Sequence, residues 1–114
     1  MPANPAETDQ GVFNELIHAP LRFRICGLLR NVKSADFAAI RDALDVGDAA
    51  LSKHLKLLTD GGFVSMTKSS SVGRSDARRI SWLSLTQEGK RAFDSHLAAL
   101  RAIAAGVIDS GGQA

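Results

Sequence analysis

The stretch between Asp48 and Asp60 raises the first question of chemistry. Lys53 and Lys56 fall three residues apart, Ala49 stands one turn before Lys53, and Ser52 and His54 flank them. At helical spacing Ala49, Lys53 and Lys56 share the side opposite Leu51, Leu55 and Leu58, so water meets a cationic, small-residue face. A second basic group follows: Lys68, Arg74, Arg78 and Arg79, interleaved with Ser69, Ser70, Ser71 and Ser75. Ammonium and guanidinium groups neutralise phosphates, and hydroxyls add neutral contacts to the same oxygens. That is the chemistry of holding a polyanion. Asp48 is the odd member: it suits the positive end of a helix dipole and repels a phosphate, yet it can accept from a cytosine amino group.

Bond-breaking chemistry is not encoded. Gly73-Arg74-Ser75-Asp76 lacks the second glycine of a nucleophile elbow, and Gly61 to Lys68 lacks the Gly-Lys-Ser/Thr ending of a phosphate loop. Cys26 stands alone, so neither an internal disulfide nor a thiolate metal cluster is available. We expect no enzyme, no cofactor and no metal. The net charge is only +2, but it is unevenly spread. Residues 1–19 carry three acids and no base, whereas residues 48–91 carry eight bases against four acids. A polyanion would be gripped in the middle of the chain.

The elements that must position these residues follow from length and periodicity. The 114 residues suit one domain with a modest core. No apolar run approaches the roughly twenty residues of a membrane span, and the acidic start lacks a secretion signal. With its lone cysteine, the chain is expected to be cytoplasmic. Residues 1–8 read as a tail, 9–108 as the folded domain and 109–114 as a second tail. Val12, Phe13, Leu16 and Ile17 predict a helix over 9–18, and Pro20 opens a second at a position that needs no amide hydrogen. Ser34 is expected to cap a third with Phe37, Ile40 and Leu44 inward. A fourth spans 48–60 and stops at Gly61-Gly62. Residues 63–68 and 79–85 alternate as strands of a hairpin with a long basic tip. Thr86 caps a last helix to about residue 108.

Helix, three-residue turn, helix and hairpin, in that order, are the parts of a helix-turn-helix with a wing. The first helix braces the second in the major groove, where base edges distinguish all four base pairs. The turn needs a residue tolerant of unusual backbone angles, an apolar plug and a helix start, and Asp45, Val46 and Gly47/Asp48 offer them in turn. An arginine-tipped hairpin can lie on the backbone or enter a narrow minor groove. The expected fold is mainly α with a small β-hairpin (α+β): a winged helix-turn-helix of five helices and a two- to three-stranded wing.

The residues Ala49-Ala50-Leu51-Ser52-Lys53-His54-Leu55-Lys56-Leu57-Leu58, with Asp60-Gly61-Gly62-Phe63-Val64 after them, resemble the recognition helix and first wing strand of MarR/ArsR-like winged-helix regulators. Leu83-Ser84-Leu85-Thr86-Gln87-Glu88-Gly89-Lys90-Arg91-Ala92-Phe93 resembles the second wing strand and the start of the last helix, and Pro20-Leu21-Arg22-Phe23-Arg24-Ile25 is also similar. The likeness runs over roughly 12–105. It implies a dimeric repressor or activator of transcription on double-stranded DNA and names no effector. Asp94-Ser95-His96 echoes the start of a metal-sensing motif of such proteins, but Val107 and Ser110 occupy the later ligand positions.

The DNA-contacting set is therefore expected to be Asp48, Ala49, Ser52, Lys53, His54, Lys56, Lys68, Arg74, Arg78 and Arg79. His54 can instead pack at the core edge. The last helix is too long to bury fully on so small a core, so Phe93, Leu97, Leu100, Ile103, Ala104 and Val107 are expected at a homodimer interface with Phe13 and Leu16. Cys26 is expected to be a buried, inert thiol, and His18 and His96 structural or interfacial. Trp82, opposite Leu83 and Leu85 on its strand, fits a core, a dimer contact or a pocket wall. The rival reading is a winged-helix module that binds protein rather than DNA.

Overall fold

The computed structural model describes residues 11–70 and 79–106. In chain order these form α1 (Glu15–His18), α2 (Pro20–Arg30), β1 (Ala35–Asp36), α3 (Phe37–Leu44), α4 (Asp48–Asp60), β2 (Val64–Ser70), β3 (Arg79–Leu85) and α5 (Gln87–Ala104). The sheet has the order β1-β3-β2, antiparallel throughout. The architecture is the expected winged helix-turn-helix, five helices and three strands.

Apolar spacing decides what goes inside. Ile25, Cys26 and Leu29 of α2 meet Ile40 and Leu44 of α3, Leu51, Leu55 and Leu58 of α4, Val64, Leu83 and Leu85 of the sheet, and Phe93 of α5. Along β3, Leu83 and Leu85 point into this cluster while Trp82 points outward, as period-2 alternation requires. The hairpin register pairs Val64 with Leu85, Met66 with Leu83 and Lys68 with Ser81. Met66 and Lys68 thus lie on the inward face of the sheet but beyond the core, alongside α4.

The turns explain themselves in backbone terms. Asp45 closes α3 in the left-handed region, at φ 54°, and the amides of Asp45 and Val46 return to the carbonyls of Asp42 and Arg41. Val46 is half-buried against the core, and Gly47 is the extended cap of α4. Gly62, at φ 84°, repeats the device after α4, with Gly62 and Phe63 donating to Thr59 and Leu58. Thr86 works in two directions: its hydroxyl accepts from the Gly89 amide at 2.9 Å and donates to the Gly62 carbonyl at 2.7 Å. Gly89 lies so close to the hairpin that a Cβ there would overlap the Phe63 carbonyl oxygen.

Four boundaries differ from expectation, the smallest being β2, which runs Val64–Ser70 rather than 63–68. The first helix is one turn, Glu15–His18, rather than 9–18. Gly11 has φ 76°, and the Val12 amide donates to the Ser95 carbonyl and hydroxyl, so residues 11–14 form an arm along α5. The cap of α3 is Asp36, whose carboxylate accepts from the Ala39 amide at 2.6 Å. Ser34 is not the cap because Ala35 and Asp36 are drawn into the sheet opposite Leu83 and Trp82. Finally α5 ends at Ala104, where Gly106 at φ 77° donates to Ile103, rather than at 108.

Candidate nucleic-acid interface

Helix α4 is held by one side and presents the other. Leu51, Leu55 and Leu58 are buried, while Ala49, Ser52, Lys53 and Lys56 are exposed. Beside α4 the inward face of β2 and β3 leaves an open groove of about 580 Å³, with Ser52, Lys56 and Thr59 on the helix bank and Met66, Lys68 and Ser81 on the strand bank. Phe37 and Leu55 also line it. Two of the expected cations, Lys56 and Lys68, are thereby placed on opposite banks of one channel. Arg79 is exposed at the start of β3. Arg74 and Arg78 lie outside the described residues.

Neighbouring charges qualify this face. Lys56 pairs with Asp60 at 3.0 Å, an exposed pair one turn apart. Such pairs contribute well under 1 kcal/mol and break readily for a better partner. At the head of α4, Arg41 bonds Asp48 at 3.2 Å and Asp42 at 3.0 Å. A guanidinium therefore stands where the sequence offered only an isolated acid. The spacing of Arg41 and Asp48 across a tight turn is the sequence signal for this contact. Met66 and Ser81 were also missed, because their nearness to α4 depends on hairpin register, and so was Thr59, which lines the groove from the helix itself.

His54 is half-buried on the flank facing α2, where its Nδ1 stands 3.0 Å from Arg22 Nη1. Because a guanidinium only donates, Nδ1 accepts and the ring is neutral. Burial first, then the charges of Arg22 and Lys53, hold its pKa below the ordinary value of 6.5. Arg22 also donates to the Leu16 carbonyl, tying α1, α2 and α4 together.

The remaining candidates are placed as follows. Phe93 is a core residue stacked near Phe23 (ring centroids 5.5 Å apart), and Leu16 is half-buried against the same core. Leu97 and Leu100 are half-buried, Ala104 is exposed, and Phe13 and Ile103 are 38% and 63% exposed. Val107 lies outside the described residues. Trp82 is on the outer face of the wing, donating to Ser69 Oγ at 3.1 Å. Cys26 is buried, which pushes its thiol up to about 12 despite the opposing charge of Arg22. Asp94 is held below the usual carboxylate range by a two-pronged bond from Arg30 at 2.9 and 3.0 Å. Among the described residues no group of three His, Cys, Asp or Glu side chains is placed to hold a metal ion. No described helix is long and apolar enough to cross a membrane.

A braced helix with a cationic outer face beside a twisted hairpin defines a winged-helix DNA-binding domain. Residues 21–104 match the family model of the winged helix DNA-binding domain, and the chain belongs to that family. It is a DNA-binding domain of this class and not an enzyme. An uncharacterized protein of Methanocaldococcus jannaschii is 30% identical over 86 residues, covering 75% of this chain and 85% of its own. The structure of a transcriptional regulator homologue from Pyrococcus horikoshii OT3 superposes with a TM-score of 0.73 at 23% identity, covering 82% of this chain and 89% of that one. That of a possible transcriptional regulator for arsenical resistance gives 0.55 at 27% identity, covering 89% and 86%.

Proposed function

We propose that this chain represses transcription in the cytoplasm as a homodimer that reads a roughly palindromic duplex site. In this reading α4 enters the major groove with Ala49 and Ser52 towards the bases and Lys53 on a flanking phosphate. Lys56 and Lys68 straddle one sugar-phosphate strand in the channel between helix and wing, and Arg79, with Arg74 and Arg78, extends the hold along the backbone or into the minor groove. The two half-sites lie about one helical turn, ~10 bp, apart. Repression follows from occupancy, since a compact dimer across both half-sites excludes other proteins from them.

One observation carries this reading. The apolar side of α4 is fixed in the core, so Lys53 is turned to water and Lys56 lines a channel whose far bank carries Lys68. The dimer is supported by the arm along α5, which leaves Val12 (58% exposed), Phe13 and Ile103 as apolar surface beside one another's elements. Apolar residues gathered on one surface mark an interaction site. Sites selected from random duplexes should be palindromic and bind with steep salt dependence. The Lys53→Ala, Lys56→Ala double variant should lose most of that affinity with an unchanged circular-dichroism spectrum. Equal binding by the folded double variant refutes the assignment of α4. A monomer in light scattering, free or on DNA, refutes the dimer.

A further inference from the structure

His96 is fully buried, and among the described residues it is the one polar or charged side chain in the buried set. It sits on α5 beneath the arm. Its Nδ1 accepts from the Asn14 amide at 2.9 Å, and its Nε2 lies 3.4 Å from His18 Nδ1. Phe13 meets the ring edge-on with centroids 4.8 Å apart, and Phe23 closes it from α2 at 5.8 Å. These contacts fix the tautomer. Since Nδ1 takes a backbone N–H, the proton of the neutral ring is on Nε2, which donates to His18.

A second proton has nowhere to go but Nδ1. There it would set one N–H against another across the Asn14 contact, in a site closed to water. We propose that His96 is a proton-operated latch: neutral, it fastens residues 11–18 to α5, and taking up a proton releases them. The arm also touches α4. Leu16 packs so closely under Gly61 that a Cβ there would come within 2.5 Å of it, and the Leu16 carbonyl anchors Arg22, which in turn holds His54. Release therefore reaches the C-terminal end of α4. Only its effect on DNA binding rests on the function proposed above.

The surroundings set the sign. From α1, His18 opposes a charge on His96 and Glu15 favours one; burial is the largest influence, and together they hold the ring below 6.5. On α2 the cations are engaged elsewhere, Arg22 with Leu16 and His54, Arg24 with the Leu44 carbonyl and Arg30 with Asp94. The arm residues 11–14 carry no ionisable side chain, nor do residues 80–85 of β3. One turn away on α5 stand Ala92, Phe93, Ala99 and Leu100. A histidine whose folded value is depressed takes up its proton on opening, so the latch weakens as the pH falls below 6.5.

The test reads the full chain by NMR without DNA. The protection factor of the Asn14 amide should fall about tenfold per pH unit below 6.5, because one proton is bound as the arm opens. In His96→Asn the amide oxygen can stand where Nδ1 does and does not titrate, so protection there should not vary with pH. Protection in the wild type that is independent of pH between 7.5 and 5 overturns the latch, as does an equal fall in His96→Asn. Should that variant fail to fold, the wild-type His96 ring decides. A midpoint below 6.5 that coincides with the Asn14 change supports the latch, and separate transitions or a midpoint at or above 6.5 overturn it.

Discussion

Replacing Lys53 with alanine isolates one phosphate contact in the proposed complex. The side chain is exposed, and no salt bridge to it occurs among the described residues. Its ammonium is therefore free to displace a condensed counterion. Each neutralised phosphate adds about 0.9 to the slope of log K against log[salt]. A homodimer loses two such contacts, so the slope should become shallower by about 1.8. Between 50 and 200 mM salt the gap between wild type and Lys53→Ala should then narrow roughly tenfold. Asp60→Asn supplies the opposite sign, because it frees Lys56 from its 3.0 Å partner and should tighten binding at low salt. Fluorescence anisotropy with one selected duplex at several salt concentrations measures both, while melting temperatures confirm folding, since surface changes of this kind shift stability by about 0.5 kcal/mol or less. Parallel salt plots for wild type and Lys53→Ala would show that this lysine touches no phosphate.

Other perturbations probe the framework. Gly89→Ala should cost about 2–4 kcal/mol in urea unfolding, because its Cβ meets the Phe63 carbonyl group, whereas Gly47→Ala, with open space around it and an ordinary φ, should cost about 1 kcal/mol or less. Equal costs would refute the close approach of α5 to the hairpin. Arg22→Met should raise the NMR-measured pKa of His54 towards 6.5 without reaching it, since burial, the larger cause, remains; an unchanged value would mean the guanidinium does not face the ring. Cys26 should ignore a disulfide reagent at pH 8 in the native protein and react at once in denaturant, as burial demands. Fast native labelling would place it at the surface.

How much of this was legible in the sequence depends on whether the cause was local. The turn at Asp45-Val46-Gly47, the buried stripe of α4, the cap at Thr86 and the hairpin each follow from a few adjacent residues and stand as expected, except that β2 runs on to Ser70. The errors are tertiary. Two-residue β1 is too short to alternate, so nothing disclosed that Asp36 rather than Ser34 would cap α3. Helical periodicity at Val12 and Phe13 lost to the hydrogen bonds that Ser95 offers the arm, which need Gly11 at positive φ. The same holds within the interface. The outward lysines could be counted on a wheel, but Arg41 beside Asp48, and Lys68 across from Lys56, required the turn and the strand register to be known.

Helix α2 explains how the proposed dimer surface and the DNA face can act as one body. It packs against α1, α3, α4, α5 and β3 alike, so the arm, the long helix and the recognition helix share one support. Apolar packing through Ile25 and Leu29 fixes distances but tolerates small rotations, because dispersion contacts have no preferred direction. Directional restraint on α4 from this side comes from Arg22, whose guanidinium spans the Leu16 carbonyl and His54. In the dimer proposed above, a partner subunit seated on Phe13 and Leu97 would press on the segment that carries that carbonyl. In the proposed complex the angle at which Lys53 and Lys56 meet a duplex would be set partly by how firmly the arm is held, so dimer formation and DNA binding would be one linked equilibrium rather than two independent properties.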